Sequence, residues 1–194
     1  MSTDRESLQN NSWIDYGILP ESIQYNFEEL WGLHPENYNK VKILGKVIDT
    51  PRWQQTYGRS YNYTGMVHEA LPMPRQIEPF LEYVQNLYSD YKFNQILINW
   101  YENGLHYIGA HSDNTKPLVE NSPIVSITLG QERLFRIKEK QTKKTIKDII
   151  LKDKTVITMG GEFQTHYTHE VPKVTGKKGE LLGKRINITF RAFK

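Results

Sequence analysis

The chain contains no cysteine, which excludes a disulfide framework, a zinc–thiolate centre and a thiol nucleophile, and permits a reducing compartment. It also lacks any run of about 18 consecutive apolar residues, the length that would cross a bilayer as a helix. Its first residues, Met-Ser-Thr-Asp-Arg-Glu-Ser, are polar and charged, unlike an export signal. These absences predict a soluble, intracellular protein without membrane contact, nuclear or cytoplasmic alike. No internal repeat is visible. A large excess of one charge is missing too: 25 Lys and Arg stand against 22 Asp and Glu, and the pI is about 8.9. Such a mild basic balance suits a polyanionic partner and suits many ordinary soluble proteins equally.

What is present fits one well-buried core. The 194 residues are 38% hydrophobic, enough for one domain and short for two. A flexible arm is expected over residues 1–12, which lack periodicity, followed by a single domain over 13–194 and a monomer. Twelve Tyr, seven Phe and four Trp can fill that core or stack on bases.

From Glu21 to Trp31 the apolar side chains Ile23, Phe27, Leu30 and Trp31 recur at helical spacing, and a second helix is predicted over Ile77 to Tyr88. Val41 to Ile48 reads as strand broken at Gly45. Asp49 to Gly58 reads as an exposed loop or ribbon. Further strands are predicted at Phe93–Tyr101, Pro123–Leu129 and Glu132–Lys138, around Lys152–Lys154, and at Arg185–Arg191. The basic stretches Lys138–Lys147 and Lys173–Lys184 read as solvated connections that could touch phosphates. Two early helices followed by many short strands predict an α+β domain on a sandwich or barrel.

Chemistry concentrates at His111-Ser-Asp113. A histidine and an aspartate two residues apart point the same way in extended chain, and a turn flanking a strand would serve as well. With the distant His169 they make two imidazoles and one carboxylate, the facial triad of non-haem Fe(II) oxygenases, which leaves coordination positions open. In the last strand Arg185, Asn187, Thr189 and Arg191 share one face, while Ile186, Ile188 and Phe190 share the other. If the apolar face packs against helices, the arginines look inward and need an anion such as the dicarboxylate 2-oxoglutarate. Otherwise this is an edge strand with solvated arginines.

The residues Asn99-Trp-Tyr101, His111-Ser-Asp113, Thr165-His-Tyr-Thr-His169 and Arg185-Ile-Asn-Ile-Thr-Phe-Arg191, in that order and spacing, resemble the AlkB family of Fe(II)/2-oxoglutarate-dependent dioxygenases, especially its homologues that repair alkylated DNA. The resemblance runs from about Val41 to the C-terminus and includes Pro51-Arg52 and Tyr57-Gly58. It implies a double-stranded β-helix, or jelly roll, with N-terminal helices and a nucleotide-recognition lid over about 41–70. It implies Fe(II), 2-oxoglutarate and O2, and the oxidative removal of N-alkyl groups from bases in DNA, with formaldehyde, succinate and CO2 as products. An RNA demethylase, a hydroxylase of another macromolecule and a non-catalytic nucleic-acid binder are the alternatives.

Carried over by residue, the resemblance makes His111, Asp113 and His169 the iron ligands and catalytic centre; His166, three residues before His169, is the rival ligand and otherwise a packed or hydrogen-bonded residue. Arg191 and Tyr101 would hold the distal carboxylate of 2-oxoglutarate, with Asn99, Arg185, Asn187 and Thr189 in the same pocket and Arg185 beside Asp113. On the substrate side Tyr61, Tyr63 and Thr64 match the lid segment, Arg52 and Tyr57 precede it, and Asn114 stands where acidic residues that contact the base are common. Leu44, Gly45 and Lys46 match the hairpin that probes a duplex. There Leu44 is either a wedge between bases or an ordinary core residue.

Overall fold

The computed structural model of the chain describes residues 4–43, 45–63 and 66–194; Leu44 and Thr64 therefore lie outside the described residues. In chain order the elements are β1 (Asp4–Ser7), β2 (Ser12–Ile18), α1 (Phe27–Trp31), β3 (Lys40–Ile43), β4 (Lys46–Asp49), β5 (Trp53–Tyr57), β6 (Tyr61–Tyr63), β7 (Met66–His68) and β8 (Ala70–Leu71). Then come α2 (Glu78–Leu87), β9 (Gln95–Tyr101), β10 (Ile108–His111), β11 (Ile124–Gly130), β12 (Arg133–Glu139) and β13 (Thr145–Leu151). The chain closes with β14 (Thr155–Gly161), α3 (Phe163–His166), β15 (Tyr167–Val171), α4 (Gly176–Glu180) and β16 (Arg185–Arg191). The fold is mixed α+β and mostly strand. Among the described residues no helix is long and apolar enough to cross a membrane.

One sheet runs β1-β2-β14-β11-β16-β9-β5-β8 and a second runs β10-β15-β12-β13, while β3 with β4 and β6 with β7 form separate hairpins. Alternation along each strand decides what faces where. On β16, Ile186, Ile188 and Phe190 are fully buried against Ile96, Ile98 and Trp100 of β9, under Leu30 of α1 and Phe80 and Val84 of α2. The opposite face of that sheet contributes Ile124, Ile157 and Met159 to a second core with Phe135, Ile137 and Val171 of the smaller sheet. The polar face of β16 thus looks into the space between the sheets, as its sequence pattern predicts.

Five expectations change. Residues 4–12 are not a free arm: β1 pairs antiparallel with β2, and Arg5 donates from Nε and Nη2 to the two carboxylate oxygens of the buried Asp15 at 3.1 and 3.0 Å while lying over the Trp13 ring. A short edge strand recruited by a charge pair has no core-facing apolar residues, hence no periodic signal. The first helix starts at Phe27 rather than near Glu21, because Asn26 is in extended conformation and its side chain accepts from the backbone N–H groups of Glu28 and Glu29. Asp49–Gly58 is not an exposed loop, since β5 lies within the large sheet, paired with β9. Its glutamines disguise it as a loop because Gln54 faces the polar interior. The expected lid over 41–70 is therefore interrupted by a core strand. Gly45, at φ 81°, forms the turn between β3 and β4 as its position suggests.

The expected loop over Lys173–Lys184 contains α4, pressed against the loop after β9. Gly104 N–H donates to the Gly179 carbonyl at 2.8 Å, and a Cβ on Gly104 would sit 2.7 Å from the Gly179 Cα.

Candidate active site

β10 and β15 are antiparallel neighbours, and His111 is the register partner of His169. Cross-strand partners point to the same side of a sheet, so the two rings meet with centroids 4.3 Å apart. His111 ends β10, and Asp113 lies in the loop just beyond it. That loop is fixed at two points. Ser112 Oγ donates to the Tyr167 carbonyl at 2.7 Å, and the Asp113 N–H donates to Gln164 Oε1 at 2.8 Å. The flanking-turn alternative is thus the one realised. His111, Asp113 and His169 offer ligand atoms that all lie within 4.8 Å of one another. His166, on α3, is not part of the group.

Electrostatics leave these three as donors. Burial pushes the His111 imidazole below its usual value and His169 down to about 3, so both rings are neutral. The Gly109 carbonyl accepts from His111 Nδ1 at 2.9 Å, which puts the lone pair on Nε2. For Asp113 burial alone would raise the carboxyl, but the Arg191 guanidinium beside it outweighs that and holds it at about 2. Arg191 Nη2 donates to Asp113 Oδ1 at 2.9 Å, and both side chains are nearly inaccessible. Two neutral imidazoles and an ionised carboxylate on one side of a cavity form a site for a divalent cation of borderline softness.

The cavity beside them has a volume of about 700 Å³, its open mouth included, and is walled by both sheets. Arg52 lies inside it, buried, with Nε on Asn99 Oδ1 at 2.6 Å and Nη2 on Gln54 Oε1 at 3.0 Å. Asn187 and Tyr101 also face the cavity. Behind them Arg185 is fully buried, its Cζ 4.9 Å from the Tyr101 ring centroid. Its Nη2 donates to Thr128 Oγ1 and Asn187 Oδ1 at 3.0 and 3.1 Å. Among the described residues its Nε and Nη1 have no hydrogen-bond partner and it has no carboxylate partner. Burial pushes its guanidinium down to about 10. A buried cation with idle donors beside a polar cavity calls for an anion. The donor set thus fits a divalent iron, and the idle guanidinium fits one end of a dicarboxylate.

Residues 25–191 match the family described as the 2OG-Fe(II) oxygenase superfamily. The chain belongs to that superfamily. Iron(II) and 2-oxoglutarate are the groups that the superfamily's description names, and His111, Asp113 and His169 are a donor set that could hold such an iron. The chain is 30% identical over 162 residues to the DNA oxidative demethylase ALKBH2 of Homo sapiens, covering 78% of this chain and 60% of that one. To the protein of the same name from Mus musculus it is 31% identical over 165 residues, 78% of this chain and 66% of the other. With the alpha-ketoglutarate-dependent dioxygenase AlkB of Escherichia coli K12 it shares 30% over 104 residues, 54% of this chain and 47% of that one. The oxygenase chain spans about three fifths of the length of the ALKBH2 relatives.

Of the residues named from sequence in this oxygenase, Arg52, Asn99, Tyr101, His111, Asp113, His169, Asn187, Thr189 and Arg191 line this same cavity. The two strand arginines sit the other way round from expectation. Arg191, not Arg185, is beside Asp113, and Arg185 is beside Tyr101, because β16 runs antiparallel to β9 with Arg185 opposite Tyr101 and Arg191 opposite Gln95. Tyr57 is not at the substrate side. It is 3% exposed in the outer core, its phenol pushed up to about 12 by burial, with no path to a base. Gly45 and Lys46 are exposed on the first hairpin, Tyr61 and Tyr63 lie on β6, and Asn114 is half-buried with Oδ1 accepting from the Lys116 N–H. Sequence reasoning missed Gln54, Gln95 and Gln164. Their one signal is an amide next to a single large apolar residue, Trp53, Ile96 and Phe163 respectively.

Proposed function

We propose that this chain is an Fe(II)- and 2-oxoglutarate-dependent oxidative demethylase of N-alkylated bases in DNA, built on a double-stranded β-helix formed by the two sheets. The observation that carries it is the pairing of a neutral His111–His169 couple and ionised Asp113 with a buried arginine that lacks an anion. His111, Asp113 and His169 would hold iron, with Arg191 keeping Asp113 ionised and directed. The keto acid's chelating end would lie near Arg191, and its distal carboxylate would meet Arg185 and the Tyr101 hydroxyl, with Asn187 and Thr189 as polar wall. That assignment reverses the one read from sequence, because Arg191 is already committed to Asp113. When bound, iron with O2 supplies the oxidising power that converts 2-oxoglutarate to succinate and CO2 and hydroxylates an N-methyl carbon, which then leaves as formaldehyde.

The protein's own share is binding, orientation and exclusion of water. Arg52 and Asn99, locked together at 2.6 Å, form a buried polar part of the cavity wall. Asn114 sits just past the ligand loop. The hairpins carrying Gly45, Lys46, Tyr61 and Tyr63 would form the nucleotide lid, to which Leu44 and Thr64 are assigned from sequence, and exposed lysines such as Lys46 would meet phosphates. Support for DNA as substrate comes from the two relatives named DNA oxidative demethylase. Methylated DNA and RNA oligonucleotides, each incubated with Fe(II), 2-oxoglutarate and air and read by mass spectrometry of the bases, test the reading. Cosubstrate-dependent loss of methyl from DNA supports it. Faster loss from RNA would move the substrate to RNA, and no consumption of 2-oxoglutarate would leave only a nucleic-acid binder.

A further inference from the structure

Arg191 does not reach Asp113 unaided. Its Nη2 meets Asp113 Oδ1 at 2.9 Å while its other arm, Nη1, donates to Gln95 Oε1, also at 2.9 Å. Gln95 is the first residue of β9 and the register partner of Arg191 on β16, so its side chain leaves the sheet on the same side as the guanidinium. It is 0% exposed. The guanidinium is planar, so an acceptor fixed on one Nη sets the direction of the other.

Gln95 makes this contact at a cost. Its Nε2 has no hydrogen-bond partner among the described residues, although the position is sealed from water. An aliphatic side chain would fill the site without burying an idle amide donor. The amide's carbonyl is therefore the part with work to perform, and it is spent on Arg191.

We infer that Gln95 is a positioning residue of the metal site, acting through Arg191 to hold the Asp113 carboxylate in the direction that completes the His111, Asp113 and His169 set. This rests on the proposed reading of that set as the iron site. Partners one step removed from a metal ligand commonly set its affinity for the ion. Here the chain is two steps long, amide to guanidinium to carboxylate, and it lies entirely between β9, β16 and the ligand loop.

The test uses full-length protein stripped of metal, with Mn(II) binding read by loss of the free-ion EPR signal, so no turnover is needed. Gln95→Leu should weaken Mn(II) binding about 10-fold. In an Arg191→Met background the same change should add nothing, because residues acting through one another are not additive. Gln95→Met serves as the replacement should Gln95→Leu fail to fold. Asp113→Ala is the control for the site itself. Unchanged Mn(II) binding in Asp113→Ala would mean that the metal site, and with it this inference, is misplaced. Loss in Asp113→Ala with unchanged binding in the Gln95 variants would overturn the role of Gln95 alone. Equal losses from Gln95→Leu with and without Arg191 would also overturn it, since Gln95 would then act by another route.

Discussion

Replacing Arg185 with Met should make the cosubstrate-free protein more stable and deprive it of its response to 2-oxoglutarate. The guanidinium is 1% exposed, and burial pushes it from 12.5 down to about 10, which corresponds to about 3 kcal/mol against the charged form. The sign follows from proton binding. Between about pH 10 and 12.5 the unfolded chain holds the proton and the folded chain releases it, so the penalty fades as pH rises through that window and is fully present at neutral pH. Met removes the charge and keeps most of the volume. Asn187 Oδ1 still accepts from Ser126 Oγ at 3.0 Å, whereas the Thr128 and Tyr101 hydroxyls lose their contact with the guanidinium, at roughly 1 kcal/mol each. A net gain of about 1 kcal/mol should raise the melting temperature by about 2–4 °C in a chain of this size. With Mn(II) in place of iron and 2-oxoglutarate at about 100 times its Kd, the wild-type chain should gain a further ~2.7 kcal/mol and the variant almost nothing. Thermal melting of both proteins, with and without the keto acid, reads all four states. A variant that melts below wild type alone, yet rises as much with 2-oxoglutarate, would refute the idea that Arg185 is a buried cation waiting for a carboxylate.

His169→Ala should abolish turnover with the fold retained, whereas His166→Ala, three residues earlier on α3, should keep most activity; circular dichroism beside a succinate assay separates loss of chemistry from loss of fold. Gln164→Leu strands the buried Asp113 N–H and should cost about 1–3 kcal/mol, seen as a lower melting temperature together with weaker metal retention. Leu44→Ala should reduce activity on a methylated duplex far more than on the matching single strand, because a wedge offsets unstacking only where there is a stack. Equal losses on the two substrates would make Leu44 a packing residue.

The face that each β16 residue occupies was readable, because alternation of Arg, Asn, Thr and Arg with Ile, Ile and Phe has one meaning in a strand with an apolar face to bury. Which arginine serves which end of the cavity was not. Both share that face, and only the antiparallel partner strand, which sets Tyr101 opposite Arg185 and Gln95 opposite Arg191, distinguishes them. His111 and Asp113 announced themselves by spacing, yet the device that seats them, Gln164 accepting from the Asp113 N–H, looks in sequence like any polar residue near a turn. Tyr57 misled for the opposite reason: an aromatic among polar residues resembles a binding loop until β5 is seen to be a sheet strand with its outer side under α2. A glutamine facing a polar cavity erases the hydrophobic signal of a strand, as Gln54 does in β5.

The most direct measurement is the simultaneous count of succinate and formaldehyde released from a methylated DNA oligonucleotide by wild-type protein with Fe(II), with His169→Ala as the blank. The proposed chemistry requires the two products in equal amounts, both dependent on 2-oxoglutarate and both absent from the blank. Formaldehyde and methyl loss that persist in the blank, or succinate formed by the wild type with every methyl group still on the DNA, would contradict it.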